Sequence, residues 1–212
     1  MPEADASGAL RSRPPFVIWP LSFANSQMSY CHDHLQEILL TEDQLAARVA
    51  ELGAQISRDY AGQSLTILGV LNGVVVFLAD LLRQLDLPCR VDFVALASYG
   101  DCHQSSGEVA LLKEPCFPLA GQCVLVVEDI VDTGRTLAWL VERLGSQGAQ
   151  VKVCALLDKP SRRVVPVRLD YVGFEVPDHF LVGYGLDFAQ SYRNLPYVAV
   201  LKPEIYREVR GQ

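Results

Sequence analysis

Alternation of apolar strand-like runs with amphipathic helical stretches predicts an α/β domain built on a mainly parallel sheet, with a smaller C-terminal lobe or hood. The runs Leu65–Leu71, Val91–Ala97, Gln122–Val127 and Val151–Leu157 are hydrophobic almost throughout. Strands covered on both faces of a parallel sheet read this way, whereas half-exposed strands alternate. Helical spacing appears between them, as in Leu45, Val49, Leu52 and Ile56. The chain has 212 residues, half of them hydrophobic and 20% charged. That suffices for one buried core and is too short for two enzyme domains with a linker.

Residues 1–28 are rich in Pro, Ser and Ala and lack periodicity, so they read as a flexible extension ahead of a single domain spanning 29–212. The basic and apolar stretch from Arg11 to Trp19 faintly mimics an export signal, but its prolines and short length argue against one. Organised sequence begins near Leu35. Thr41-Glu42-Asp43-Gln44 fits a capping box, and the helix it opens runs to about Tyr60. Leu65–Leu71 is the next strand, and Phe77, Leu78, Leu81, Leu82 and Leu85 make a helix that stops before Pro88. After the strand at Val91–Ala97, the polar stretch Ser98–Gly107 reads as a mobile loop before a strand at Glu108–Leu112. A strand at Gln122–Val127, a helix at Thr136–Leu144 and a strand at Val151–Leu157 follow. Shorter strands are expected near Tyr171–Phe174, His179–Tyr184 and Val198–Leu201.

The formal net charge of −7 disfavours generic binding to nucleic acid or an anionic membrane, since repulsion acts before any contact forms. No apolar stretch is long enough to span a bilayer. The six cysteines show neither CxxC pairing nor zinc-ligand spacing, which suits a reducing, cytoplasmic setting. His32-Asp33-His34 has no third metal ligand nearby and reads as solvated, and His179 reads as structural.

The chemistry concentrates in Val124-Leu125-Val126-Val127-Glu128-Asp129-Ile130-Val131-Asp132-Thr133-Gly134-Arg135-Thr136. An aliphatic strand ends in two carboxylates, and a short Asp-Thr-Gly-Arg-Thr turn leads into a helix. Ligands of open α/β sheets bind at the carboxyl ends of strands, and such a turn aims several N–H groups at one point, as a phosphate requires. Acids beside an anion cradle make sense if they hold sugar hydroxyls or a bridging Mg2+. Asp129 and Asp132 would alternatively cap the following helix, as acids before helices often do. The turn is neither a Walker A loop nor a GxGxxG dinucleotide turn.

This stretch resembles the phosphoribosyl diphosphate signature of type I phosphoribosyltransferases, and in its Glu-Asp-Ile-Val-Asp-Thr-Gly form the hypoxanthine-guanine branch, bacterial members most. The likeness runs from about Ile38 to Tyr206. It includes Val70-Leu71-Asn72-Gly73, Ser98-Tyr99-Gly100, Leu157-Asp158-Lys159-Pro160, Phe180-Leu181-Val182-Gly183-Tyr184-Gly185-Leu186-Asp187 and Tyr192-Arg193-Asn194-Leu195-Pro196.

What the resemblance implies is a Mg2+-dependent purine-salvage enzyme. N9 of a 6-oxopurine would displace pyrophosphate from C1 of phosphoribosyl diphosphate, giving IMP or GMP. Asp132 would be the proton acceptor. Thr133, Gly134, Arg135 and Thr136 would hold the 5′-phosphate, and Glu128 and Asp129, with Ile130 between the acids and the turn, the ribose side and metal. Lys159 would contact the purine's 6-oxygen, Phe180 would stack on its ring, and the Leu181 backbone would read its edge. Asp187 would take Mg2+ on the pyrophosphate side and Arg193 would grip the pyrophosphate. Leu71, Asn72 and Gly73 would cradle it too, while Ser98 and Tyr99 belong to a flap closing over the reaction centre. The implied assembly is a homodimer or homotetramer.

One departure stands out. The family usually has Lys or Arg in the turn after the first core strand, behind a strained peptide bond. Here Asn72 keeps the turn and loses the charge, which implies weakened diphosphate binding. Other readings are a xanthine preference, since no side chain reports on C2 discrimination, or an RNA-binding regulator on the same fold. The latter needs a basic face, and only Arg162-Arg163 offers the beginning of one.

Overall fold

The computed structural model describes residues 33–98 and 109–210. The expected extension 1–28 and most of the Ser98–Gly107 loop, Tyr99 included, lie outside the described residues; Ser98 is placed only as the last residue of its strand. Along the chain come β1 (Leu35–Leu40), α1 (Glu42–Asp59), β2 (Leu65–Leu71), α2 (Val75–Arg83), β3 (Cys89–Ser98), β4 (Val109–Lys113) and β5 (Cys123–Val131). Then follow α3 (Arg135–Ser146), β6 (Gln150–Asp158), a 3-10 turn (Pro160–Arg162), β7 (Tyr171–Glu175), β8 (Leu181–Val182), β9 (Val198–Leu201) and α4 (Pro203–Arg210).

The main sheet has the order β4-β3-β2-β5-β6-β7 and is parallel except for the antiparallel edge strand β4. Leu45, Val49, Leu52 and Ile56 of α1 and Phe77, Leu78 and Leu81 of α2 pack with Ile67, Leu125 and Val127 on one face. Leu137, Leu140 and Leu144 of α3 pack with Leu68, Val124 and Val126 on the other. Both faces of β2 and β5 are thus covered, which is why they lack polar alternation. The capping box is present in full: Gln44 N donates to Thr41 Oγ1 at 3.3 Å, and Thr41 N to Gln44 Oε1 at 2.8 Å.

A second sheet, β1-β9-β8, is antiparallel and forms the hood. The hood is therefore not purely C-terminal, because its edge strand β1 comes from the start of the described chain. The expected strand His179–Tyr184 contracts to Leu181–Val182, since Gly183, Tyr184 and Gly185 all take positive φ and turn the chain away. Helix α4 was not foreseen. Strand β5 runs on to Val131, past the expected end at Val127, because its ladder with β6 continues to Val131↔Asp158 after the ladder with β2 ends at Gly69↔Val127. His34 is half-buried and its Nδ1 lies 2.7 Å from Tyr192 Oη, so it ties the start of β1 to the segment between β8 and β9 rather than standing in solvent.

Candidate active site

The carboxyl ends of β2, β5 and β6 meet at one sheet edge. The expected contact groups other than Ser98, which ends β3, and Tyr99, outside the described residues, lie in or just after one of these strands or belong to the hood. At the end of β5 the turn into α3 passes through Gly134, with φ 80° and ψ −8°. A Cβ there would lie 2.5 Å from Val165 O, so only glycine fits both the left-handed backbone and the space. The Val164 and Val165 amides both donate to Thr133 O at 3.0 Å, holding the turn from outside. The N-cap Gly134 has no side chain to cap α3; Arg135 N reaches Thr133 Oγ1 at a long 3.5 Å, and the N–H groups that follow in the first turn are left for an anion. Thr133, Gly134 and Thr136 line a cavity of about 240 Å³ with Leu71, Glu128 and Asp132. Arg135 is exposed and does not line it.

Behind this turn lies a residue that sequence reasoning passed over. Arg163 pairs through Nη2 with Asp158, while its Nη1 is buried without a hydrogen-bond partner and lies 3.0 Å from the point a Gly134 Cβ would occupy. A cation is thus lodged against the back of the proposed phosphate cradle. Its only sequence signal was the Arg162-Arg163 pair, which looked like a surface feature.

The two acids lie inside β5 rather than beyond it. Leu125 and Val127 belong to the α1/α2 cluster and Val124 and Val126 to the α3 cluster, but Ile130 joins the first and Val131 the second, so strict alternation slips across Glu128–Asp129. Asp129 is 8% exposed and its Oδ1 accepts from Ile130 N at 2.9 Å. Burial pushes the carboxyl of Glu128 well above its ordinary range, and the neighbouring Asp129 adds to this. Burial also raises Asp129, although a proton donated by Glu128 and the charge of Arg193 oppose the shift. A divalent cation would relieve such a pair. Gly73 packs directly on Asp129: a Cβ on it would lie 1.7 Å from Asp129 Oδ2. Gly185 also comes close to Gly73: a Cβ on it would meet Gly73 O at 2.0 Å.

A second cavity, about 450 Å³, lies under the hood and includes Asp132, Lys159, Phe180, Leu181 and Asp187. It shares Ile130 and Asp132 with the first. Asp132 Oδ1 accepts from Arg162 Nε at 3.0 Å, and Arg162 also lies 3.7 Å from Asp178. Lys159, 8% exposed at the end of β6, donates to His179 O at 2.6 Å and lies 3.8 Å from Asp178. Burial lowers the Lys159 pKa, and the charges of Asp132 and Asp178 partly restore it. The contribution of His179 is its carbonyl, while its side chain is exposed.

On the far side the Leu71–Asn72 peptide is cis and Asn72 is exposed. Arg193 Nη1 donates to Gly185 O at 2.8 Å and Nη2 lies 2.9 Å from Asp187 Oδ1, while Asp187 Oδ2 accepts from Gln190 N at 2.9 Å. Asp187 is therefore engaged with Arg193; it shares the cavity under the hood with Asp129 but does not join Glu128 and Asp129 in one metal-binding group. Among the described residues no group of three or more His, Cys, Asp or Glu could hold a metal ion. The donor set fits Mg2+ held by one or two carboxylates with substrate oxygens completing the shell, and does not fit an all-protein cage.

The geometry agrees with comparisons to known proteins. Residues 36–189 match the phosphoribosyl transferase domain. The chain is 44% identical over 174 residues to the hypoxanthine-guanine phosphoribosyltransferase of Lactococcus lactis, covering 82% of this chain and 95% of that protein. It is 47% identical over 178 residues to the bifunctional protein TilS/HprT of Listeria monocytogenes, covering 84% of this chain but only 28% of that longer protein. A crystal structure of a hypoxanthine phosphoribosyltransferase from Staphylococcus aureus superposes with a TM-score of 0.81 at 42% identity, over 86% of this chain and 98% of that one. The chain belongs to the phosphoribosyltransferase family, within its hypoxanthine-guanine branch.

Proposed function

We propose that this chain transfers the 5-phosphoribosyl group of phosphoribosyl diphosphate to N9 of hypoxanthine or guanine, giving IMP or GMP and pyrophosphate. The observation that carries the reading is the meeting of two cavities at Asp132: one ends in an open helix N-terminus, the other holds a buried lysine and an aromatic ring. A phosphorylated sugar in the first and a 6-oxopurine in the second bring the reacting carbon and nitrogen together at the acid.

Each side chain then has a task. Thr133, Gly134 and Thr136 bind the 5′-phosphate, with Arg163 adding positive potential from behind. Asp132, its Oδ1 held by Arg162, takes the purine proton through its other oxygen, a contribution of about 10²–10⁴-fold in rate. Lys159 donates to the 6-oxygen, which adenine lacks. Phe180 supports the ring and Leu181 meets its edge. Glu128 and Asp129 hold the ribose side, while Asp187 and Arg193 face the leaving pyrophosphate with the turn at Leu71, Asn72 and Gly73. Mg2+ bound at these carboxylates would supply neutralisation of the diphosphate charge. The chain works as a homodimer or homotetramer; exposed apolar side chains such as Val75 and Ile38 support association. The described cysteines are unpaired, in keeping with a reducing cytoplasm.

The test supplies Mg2+, phosphoribosyl diphosphate and one base at a time, measuring nucleotide formed. Nucleotide from hypoxanthine and guanine, and none from adenine, is expected; no product from any 6-oxopurine refutes the proposal. A KM for phosphoribosyl diphosphate in the millimolar range would mark Asn72 as a weakened contact. Against the RNA-regulator alternative stand the ion pairs of Arg162 with Asp132 and Asp178 and of Arg163 with Asp158, which occupy the one basic pair the sequence offered. A gel shift against RNA should be negative.

A further inference from the structure

The ring expected to stack on the base is itself held by two others. Phe188 meets Phe180 edge-on, with centroids 5.5 Å apart at 89°, and Tyr206 lies nearly parallel to it at 4.9 Å and 19°. Tyr206 comes from α4 and also lines the base cavity beside Lys159 and Leu181. The start of α4 is anchored: Lys202 N donates to His34 O at 3.0 Å, Lys202 Nζ to Asp33 O at 2.7 Å, and Ile205 N to Lys202 O at 3.1 Å. Ile205 and Tyr206 pack on the hood core around Leu35, Val182 and Leu201. Phe180 stands just ahead of a two-residue strand, beside the exposed Asp178 and His179; its carbonyl accepts from Leu201 N at 2.8 Å and its side chain packs on the same hood core. Phe188 and Tyr206 are the rings that set its plane beyond that shared packing.

We propose that Tyr206 is a positioning residue for the purine: by stacking on Phe180 it fixes the platform before the base arrives and so sets base affinity. The proposal rests on Phe180 being that platform. A ring left free to turn must be ordered at each binding event, which weakens binding. An aromatic pair of this geometry corresponds to a roughly three- to tenfold change in an equilibrium constant.

The experiment uses the full chain with Phe180→Ala, Tyr206→Ala, Tyr206→Leu and Tyr206→Phe, measuring KM for hypoxanthine, KM for phosphoribosyl diphosphate, kcat and thermal midpoint. Phe180→Ala should raise the hypoxanthine KM more than tenfold. Tyr206→Ala and Tyr206→Leu should raise it about three- to tenfold while leaving the other KM within twofold, and Tyr206→Phe should match the parent. Tyr206→Leu keeps apolar bulk in the hood, so it separates stacking from packing. An unchanged hypoxanthine KM in Phe180→Ala overturns the platform and the proposal with it. If Phe180→Ala weakens base binding while the Tyr206→Leu variant does not, the platform stands and the role of Tyr206 is overturned. A parallel rise of both KM values in Tyr206→Leu, with a lowered thermal midpoint, also overturns it, since that is the mark of a packing role.

Discussion

Replacing Gly73 with alanine should disable the enzyme through a single methyl group. The new Cβ would lie 1.7 Å from Asp129 Oδ2 and 2.8 Å from its Cγ, where an ordinary carbon–oxygen contact needs about 3.4 Å. Retreat of the backbone has little room, because Gly185 packs close enough to Gly73 O to exclude even a Cβ of its own. The buried Asp129 must therefore move by more than about 1 Å, and displacement on that scale at a reacting centre costs about 10²-fold in rate, or ~2.7 kcal/mol. Overpacking should cost about 1–3 kcal/mol of stability as well. Initial rates with phosphoribosyl diphosphate varied at saturating hypoxanthine, alongside urea unfolding, separate the two effects. Gly62→Ala is the control: its φ is +75°, but no atom lies within 4 Å of the added carbon, so activity should hold. A Gly73→Ala enzyme whose kcat/KM for the sugar donor stays within threefold of the parent would refute the argument, because Asp129 would then be free to move without consequence.

Other substitutions probe the remaining parts. Asp132→Asn should lower kcat by about 10²–10⁴-fold while nucleotide affinity changes far less; equal losses in both would remove Asp132 from proton transfer. Lys159→Ala should reduce kcat/KM for hypoxanthine by roughly 10- to 100-fold, the worth of a charged hydrogen bond, and narrow the preference over adenine. Asp92 supplies a pH test of the fold. Burial alone would raise its carboxyl, but amide donors from Cys116 and Phe93 and the ammonium of Lys113 outweigh that and bring it from 3.8 to about 2. Because the folded value is depressed, its stabilisation is present above pH ~4 and is lost as pH falls through about 2; it amounts to about 2 kcal/mol. Asp92→Asn should therefore unfold at lower urea at pH 7 and converge with the parent near pH 2.

Legibility in the sequence tracked how locally each feature is determined. The helix opened by Thr41 and Gln44 and the strand-turn-helix order around Asp132 rest on neighbouring residues; the helix stands where expected, and so do the turn and helix after Asp132. The end of β5 was misjudged because polarity at Glu128 looks like an exit, whereas the ladder to β6 is what carries the strand onward. Strand β1 has an irregular burial pattern and two register shifts against β9, so period-2 reasoning had little to grasp. The partners of His34 and Tyr206 come from distant chain segments, as does the Gly134 turn that Arg163 backs, and spacing says nothing of those. Asp132 stood out from its turn alone and took its proposed role from the family likeness, whereas Lys159 was singled out through that likeness only; a lone lysine at a strand end carries no such message.

The hood draws its strands from opposite extremes of the described polypeptide: β8, which follows Phe180 and begins at Leu181, is zipped to β9, and β9 in turn to β1. The Asp-Thr-Gly bend is built from the middle of the chain and owes nothing to either end. Fraying that starts at a terminus should accordingly loosen grip on the nucleobase before it touches grip on the sugar phosphate. Amide exchange should show the same gradient, fastest at Leu35–Leu40 and slowest along Val124–Val127.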